Sequence, residues 1–149
     1  MTHNAALRSI ATALRMNEDK VLEVVRLGGG DVDAAAVSSW LKGDGEAGGA
    51  ACPDKAMAQF LNGLVVSRRG TQPGQAPAPL EPVVTNNVIL KKVRVALNLQ
   101  DRDVAAFFVR AGANVTKSER AAFFRRRDDS NYRECGDAVL LKFLASLTG

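Results

Sequence analysis

The sequence predicts an all-α protein made of two tandem copies of a four-helix unit joined by a Pro-rich linker. Three observations carry this. The chain aligns with itself without a gap at a shift of 83 residues. Its apolar residues recur at spacings of three, four and seven, which mark one face of a helix. Four of its five prolines fall in one stretch between the copies. A hydrophobic content of 46% excludes disorder throughout, and aromatics at 5% favour packed helices over a β-sandwich.

The self-alignment places Asn4 on Asn87, Leu7 on Leu90 and Val21 on Val104. It also places Gly29 on Gly112, Trp40-Leu41 on Phe123-Phe124, Cys52-Pro53-Asp54 on Cys135-Gly136-Asp137, and Phe60-Leu61 on Phe143-Leu144. The matches fall on apolar faces and turn positions, as a duplicated unit requires. Residues 1–67 read as the first repeat, 68–83 as the linker and 84–149 as the second repeat. Proline lacks a backbone donor and biases its predecessor away from the helical region, so the linker reads as extended and fairly stiff.

The first helix of each repeat is predicted from Asn4 or Asn87 as N-cap, followed by Leu7, Ile10, Leu14 or Leu90, Val93, Leu97 on one face. The second starts at the polar break Asn17-Glu18-Asp19 or Gln100-Asp101. It buries Val21, Val24, Val25 or Val104, Phe107, Phe108, and stops at Gly28-Gly29-Gly30 or Gly112. The third begins at Asp33 or Thr116. Thr116-x-x-Glu119 is a capping box, and Val37, Trp40, Leu41 or Phe123, Phe124 face inward. A loop rich in glycine in the first repeat and in charge in the second leads to the fourth helix. That helix starts after Cys52 or Cys135 and carries Met57, Phe60, Leu61, Leu64 or Leu140, Phe143, Leu144, Leu147. With about 66 residues, one repeat is marginal alone. The two are expected to pack together through the Phe60/Phe143 or the Trp40/Phe123-Phe124 region.

The inventory for catalysis is thin. His3, the one histidine, lies in a terminus expected to fray. Two cysteines and one histidine form no closed zinc site, and no CxxC or HExxH spacing exists. No catalytic residue, metal ligand or cofactor is assigned, and the chain reads as non-enzymatic. Gly28-Gly29-Gly30 follows a helix, not a strand, and Asp31 and Asp33 would repel a phosphate there, so it reads as a turn. Cys52 and Cys135 stand at equivalent helix starts. A helix N-terminus favours thiolate, which would suit a redox role, but Asp54 and Asp137 oppose it two residues later, so both read first as buried core residues.

Charge is uneven. Residues 1–66 hold 6 Lys/Arg and 8 Asp/Glu, whereas residues 84–149 hold 12 and 7. The basic second repeat raises the question of an anionic partner, because the second and third helices with their glycine turn have the outline of a helix-turn-helix. Lys91, Lys92, Arg94, Lys117, Arg125, Arg126 and Arg127 are its candidate nucleic-acid contacts. The first repeat offers Ala34, Ala35, Asp31, Asp33 and Asp44 in the same place, which cannot neutralise phosphates. The leading expectation is therefore a binding or adaptor module for a protein partner, with nucleic-acid binding by the second repeat as the alternative. No apolar run approaches the roughly 20 residues that span a bilayer. The N-terminus has no secretory pattern, and two cysteines suit a reducing, cytoplasmic setting.

Several segments together resemble the YehS-like family of small bacterial proteins. They are Asn86-Asn87-Val88-Ile89-Leu90-Lys91-Lys92-Val93-Arg94-Val95-Ala96-Leu97, Cys52-Pro53-Asp54 with Phe60-Leu61-Asn62-Gly63-Leu64, Leu80-Glu81-Pro82, and Arg133-Glu134-Cys135-Gly136-Asp137. The resemblance covers nearly the whole chain, duplication and linker included. It implies a bacterial cytoplasmic protein with a duplicated domain. It implies no activity, because the family has no assigned function or catalytic residues.

Overall fold

Among the described residues eight helices form, on the segments that the apolar periodicity marks. The computed structural model describes residues 3–43, 46–70 and 79–148. The elements are α1 His3–Ala13, α2 Glu18–Leu27, α3 Ala34–Leu41, α4 Asp54–Arg69, α5 Asn86–Ala96, α6 Asp101–Arg110, α7 Lys117–Phe123 and α8 Asp137–Ser146. No strand occurs among the described residues. Every helix of the second repeat begins 83 residues after its counterpart.

Local chemistry explains the boundaries. Asn17, Asp33, Thr85 and Thr116 each accept a hydrogen bond from a backbone N–H in the first turn, Thr116 heads a capping box, and the Gln100 N–H donates to the Asp103 carboxylate. Gly29 and Gly112 sit at φ 91° and 70°, beyond the ends of α2 and α6. Arg15 and Asn98, at φ 56° and 53°, are the non-glycine residues with left-handed backbones among the described residues. They too stand 83 positions apart. Each lets the next residue donate back across the helix end, Met16 to Ala11 and Leu99 to Arg94.

One expectation is corrected. Asn4 and Asn87 do not cap the first helices. Both lie inside them, 7% exposed, and α5 is capped by Thr85. Their side chains reach instead to the chain entering the fourth helix. Asn4 Nδ2 donates to the Ala50 carbonyl (2.7 Å) and its Oδ1 accepts from the Cys52 N–H (2.7 Å). Asn87 donates to the carbonyls of Phe123 (3.0 Å) and Arg133 (2.7 Å), and accepts from the Cys135 N–H (2.9 Å). These bonds satisfy backbone groups that burial would otherwise leave unpaired.

The repeats pack reciprocally: α1 lies against α8 and α4 lies against α5. The first helix of each repeat thus rests on the fourth helix of the other. Of the two regions expected to join, the structure uses the fourth helices, while α3 contacts α1 and α2 of its own repeat. One core runs through both repeats, from Leu7, Ile10, Val24, Met57 and Phe60 to Leu90, Val93, Phe108, Leu140 and Phe143. The helix α4 continues to Arg69, so the first two residues of the stretch read as linker are helical, and Gly70 closes the helix at φ 77°.

Candidate functional site

The residues most able to do covalent chemistry are committed to structure. Cys52 and Cys135 are free thiols, 5% and 3% exposed. Burial, with Asp54 adding to it, pushes the Cys52 thiol up to about 12. Burial and Asp137 push Cys135 up to about 11. A thiol held that high is a poor nucleophile at neutral pH. His3 is helical rather than frayed, and its Nε2 hydrogen-bonds Asp54 Oδ1 at 2.5 Å. That bond, with a second from the Val84 N–H, holds the Asp54 carboxyl below its ordinary value. In the second repeat Asn86 replaces the histidine and donates to Asp137 at 2.7 Å. The pair recurs with a residue that cannot titrate, which marks it as a joint between the first helix and the start of the fourth. Among the described residues no group of three or more His, Cys, Asp or Glu could hold a metal ion.

The seven basic candidates divide. Arg94 is half-buried. Its Nε donates to the Leu99 carbonyl and its guanidinium lies 4.6 Å from the centre of the Phe124 ring, a cation–π contact that ties α5 to the end of α7. Lys92 is half-buried, and burial lowers its ammonium from the ordinary value while Glu81 opposes this. Arg125 pairs with Asp129 at 3.5 Å and Arg126 with Asp128 at 3.6 Å. Lys91, Lys117 and Arg127 are exposed. Two of the seven, Lys117 and Arg125, line a common groove.

That groove, of about 900 Å³, runs between α7 and the returning loop of the second repeat. The helix side presents Thr116, Lys117, Ser118, Ala121 and Arg125, and the loop side presents Ser130, Asn131, Tyr132 and Arg133. Its shape follows from bonds already described. The Arg133 N–H donates to the Ala122 carbonyl, and Asn87 holds the Arg133 carbonyl from beneath. Glu119 closes the capping box with Thr116, which holds its carboxyl below the ordinary value. Its other oxygen lies 3.6 Å from Arg133.

The first repeat has the same backbone frame, since the Ala50 N–H donates to the Ser39 carbonyl at the equivalent place. Its side chains differ. Ala34, Ala35, Ala47, Gly48, Gly49 and Ala50 stand where the second repeat has Lys117, Ser118, Ser130, Asn131, Tyr132 and Arg133. Lys42, the counterpart of Arg125, donates to the Ala47 carbonyl of its own loop. Lys117 and Arg125 are among the basic residues singled out in the sequence as nucleic-acid contacts, whereas Tyr132 and Arg133 are not. The charge-rich loop was the available signal, but which of its residues turn toward α7 depends on the path of the backbone.

A family model described as "Protein of unknown function (DUF1456)" matches residues 3–70 and again residues 86–149, one match per repeat. The chain belongs to this family. It is 37% identical to "Uncharacterized protein YehS" of Escherichia coli (strain K12) over 149 residues, covering 99% of this chain and 94% of that protein. No solved structure matches. The two family matches fall on the two sets of helices, so the duplication of this chain appears in the family match as well as in the fold. Among the described residues, no helix is long and apolar enough to cross a membrane.

Proposed function

We propose that this protein is a non-enzymatic binding or adaptor protein whose second repeat holds a segment of a partner protein in the groove between α7 and its returning loop. The observation that carries the reading is the asymmetry of two repeats that share one frame. Where the first repeat has alanine and glycine, the second has a groove lined by cations, hydroxyls and a tyrosine. The thiols, the histidine and its carboxylate partner are all engaged in packing or joints, which leaves recognition as the chemistry these residues support. A cytoplasmic setting accords with two buried free thiols. Nucleic-acid binding by Lys91, Lys92, Arg94, Lys117, Arg125, Arg126 and Arg127 is the weaker reading. Lys92 and Arg94 are half-buried, and only Lys117 and Arg125 of the seven line a common groove, which lowers the number able to meet phosphates together.

The test is a photo-crosslinking residue placed at Ser118 and, separately, at Ser130 in the full chain inside bacterial cells. The matched controls are Ala35 and Ala47 in the first repeat. The reading expects one protein adduct that recurs at both groove positions and is missing from both controls. Adducts to RNA or DNA at the groove, or the same protein adduct from both repeats, would overturn it.

A further inference from the structure

We infer that the segment held in the second-repeat groove is acidic, a stretch of partner chain whose Asp and Glu carboxylates are taken by Lys117, Arg125 and Arg133. This rests on the adaptor reading and specifies its ligand. Three cations line the groove against one carboxylate, Glu119. That carboxylate is already engaged, because its Oε1 accepts from the Thr116 N–H within the capping box. The contacts that restrain the cations are long. Arg133 Nη1 is 3.6 Å from Glu119 Oε2, and Arg125 Nη1 is 3.5 Å from Asp129 Oδ2. Both lie at or beyond the reach of a good charge-assisted hydrogen bond, which forms below about 3 Å. Arg133 is 66% exposed at its side chain and Arg125 46%. Each guanidinium can therefore turn to a better acceptor without leaving a buried charge unpaired. A guanidinium is a planar fork that takes a carboxylate on two N–H groups at once, and Lys117 adds a point charge at the start of α7.

The remaining lining suits an extended peptide. Ser118 and Asn131 offer donors and acceptors to a main chain, and Ala121 leaves room for it to approach. Tyr132 supplies a half-buried ring as one wall. The first repeat serves as an internal control for the assignment. It carries one cation at an equivalent place, Lys42, where the second repeat carries Lys117, Arg125 and Arg133.

The experiment measures anisotropy of fluorescent peptides with the full-length protein at low salt. The probes are an array of short peptides with Asp and Glu at varied spacing, the same peptides with Asn and Gln instead, and single-stranded RNA. At least one acidic peptide should bind, and its amide analogue should bind at least about tenfold more weakly. The double variant Lys117→Glu, Arg133→Glu should lose the acidic peptide and gain the Lys-substituted version of it, while Lys42→Glu changes neither. That gain shows the variant to be folded, and Lys117→Gln, Arg133→Gln gives the same loss without charge reversal. Equal binding of acidic and amide peptides, sensitive to the groove substitutions, would overturn the acidic assignment and leave the adaptor reading standing. No binding of any acidic peptide also overturns the assignment. Binding of RNA alone, weakened by the same substitutions, would overturn both.

Discussion

The helix pairs α2 with α4 and α6 with α8 hold equivalent positions but pack by different means. In the first repeat the backbones nearly touch. A Cβ added at Gly28 would stand 1.7 Å from the Gln59 carbonyl oxygen, and one at Gly63 would stand 1.8 Å from that of Val24. In the second repeat Ala111 and Ser146 occupy those two places, and Phe107 and Phe108 replace Val24 and Val25. The rings of Phe107 and Phe108 lie 6.1 Å and 4.9 Å from that of Phe143, edge-on and tilted. One pair is joined by glycine and close backbone approach, the other by an aromatic cluster across a wider gap. Small residues at the crossing and valines above it go together, as do larger residues and phenylalanines. The same duplicated frame accommodates either set.

The largest effect should come from mixing them. Gly63→Ala forces a methyl group into the Val24 backbone and should cost about 3 kcal/mol or more, because two packed helices must part. Ser146→Ala, at the equivalent place, removes only the hydroxyl bond to the Phe143 carbonyl and should cost about 1 kcal/mol. Urea unfolding of both variants measures the contrast, and equal losses would break the comparison.

The buried asparagines should give the next effect. Asn87→Ala strips three hydrogen bonds and Asn4→Ala two, so losses of about 3 and about 2 kcal/mol are expected by thermal or urea unfolding. Asn87 also holds the loop that bears Arg133. Its loss should weaken ligand binding in the groove, which loss of Asn4 should leave unchanged.

The smallest effect is on acid stability. Asp54, bonded by His3, and Asp137, bonded by Asn86, both have carboxyls below the ordinary value of 3.8. Asp101, bonded by Arg120, is lowered likewise. A carboxyl whose pKa is lowered by folding stabilises the protein above its unfolded pKa. The contribution fades as pH drops through the folded pKa. Stability should therefore hold from neutrality to about pH 4 and decline below it. Carboxyl titration by NMR should find Asp54 and Asp137 lowered together. If one of them titrates at the ordinary value, the joint it forms is not shared by the two repeats.

What is legible in the sequence is the local chemistry. Asn17, Asp33 and Thr116 cap the helices expected of them, Gly29 and Gly112 take left-handed turns, and the shift of 83 residues reproduces every helix start. What is not legible is a side chain that acts at a distance. Asn4 and Asn87 have the residue type and position of a cap, but their partners lie 36 to 48 residues away. Arg94 lies off the apolar stripe of α5, which suggests solvent, and the ring of Phe124 that covers it comes from the end of another helix. The groove was half visible for the same reason. Its helix side follows from periodicity, whereas its loop side depends on where the chain turns back.

The exchange of first and fourth helices also sets a timetable for synthesis. The helix α1 is synthesised before its partner α8 and meets it only after α2 to α7 have been made. Until then the part of α1 that meets α8 has no final cover, and the nascent first half is a substrate for chaperones or for another nascent copy of itself. Contacts between segments this far apart in sequence carry a high entropic cost before they yield any stability, so folding should be slow for a helical protein of this size. Two separately expressed halves, each lacking what the other supplies, would be expected to find one another in solution and rebuild the whole.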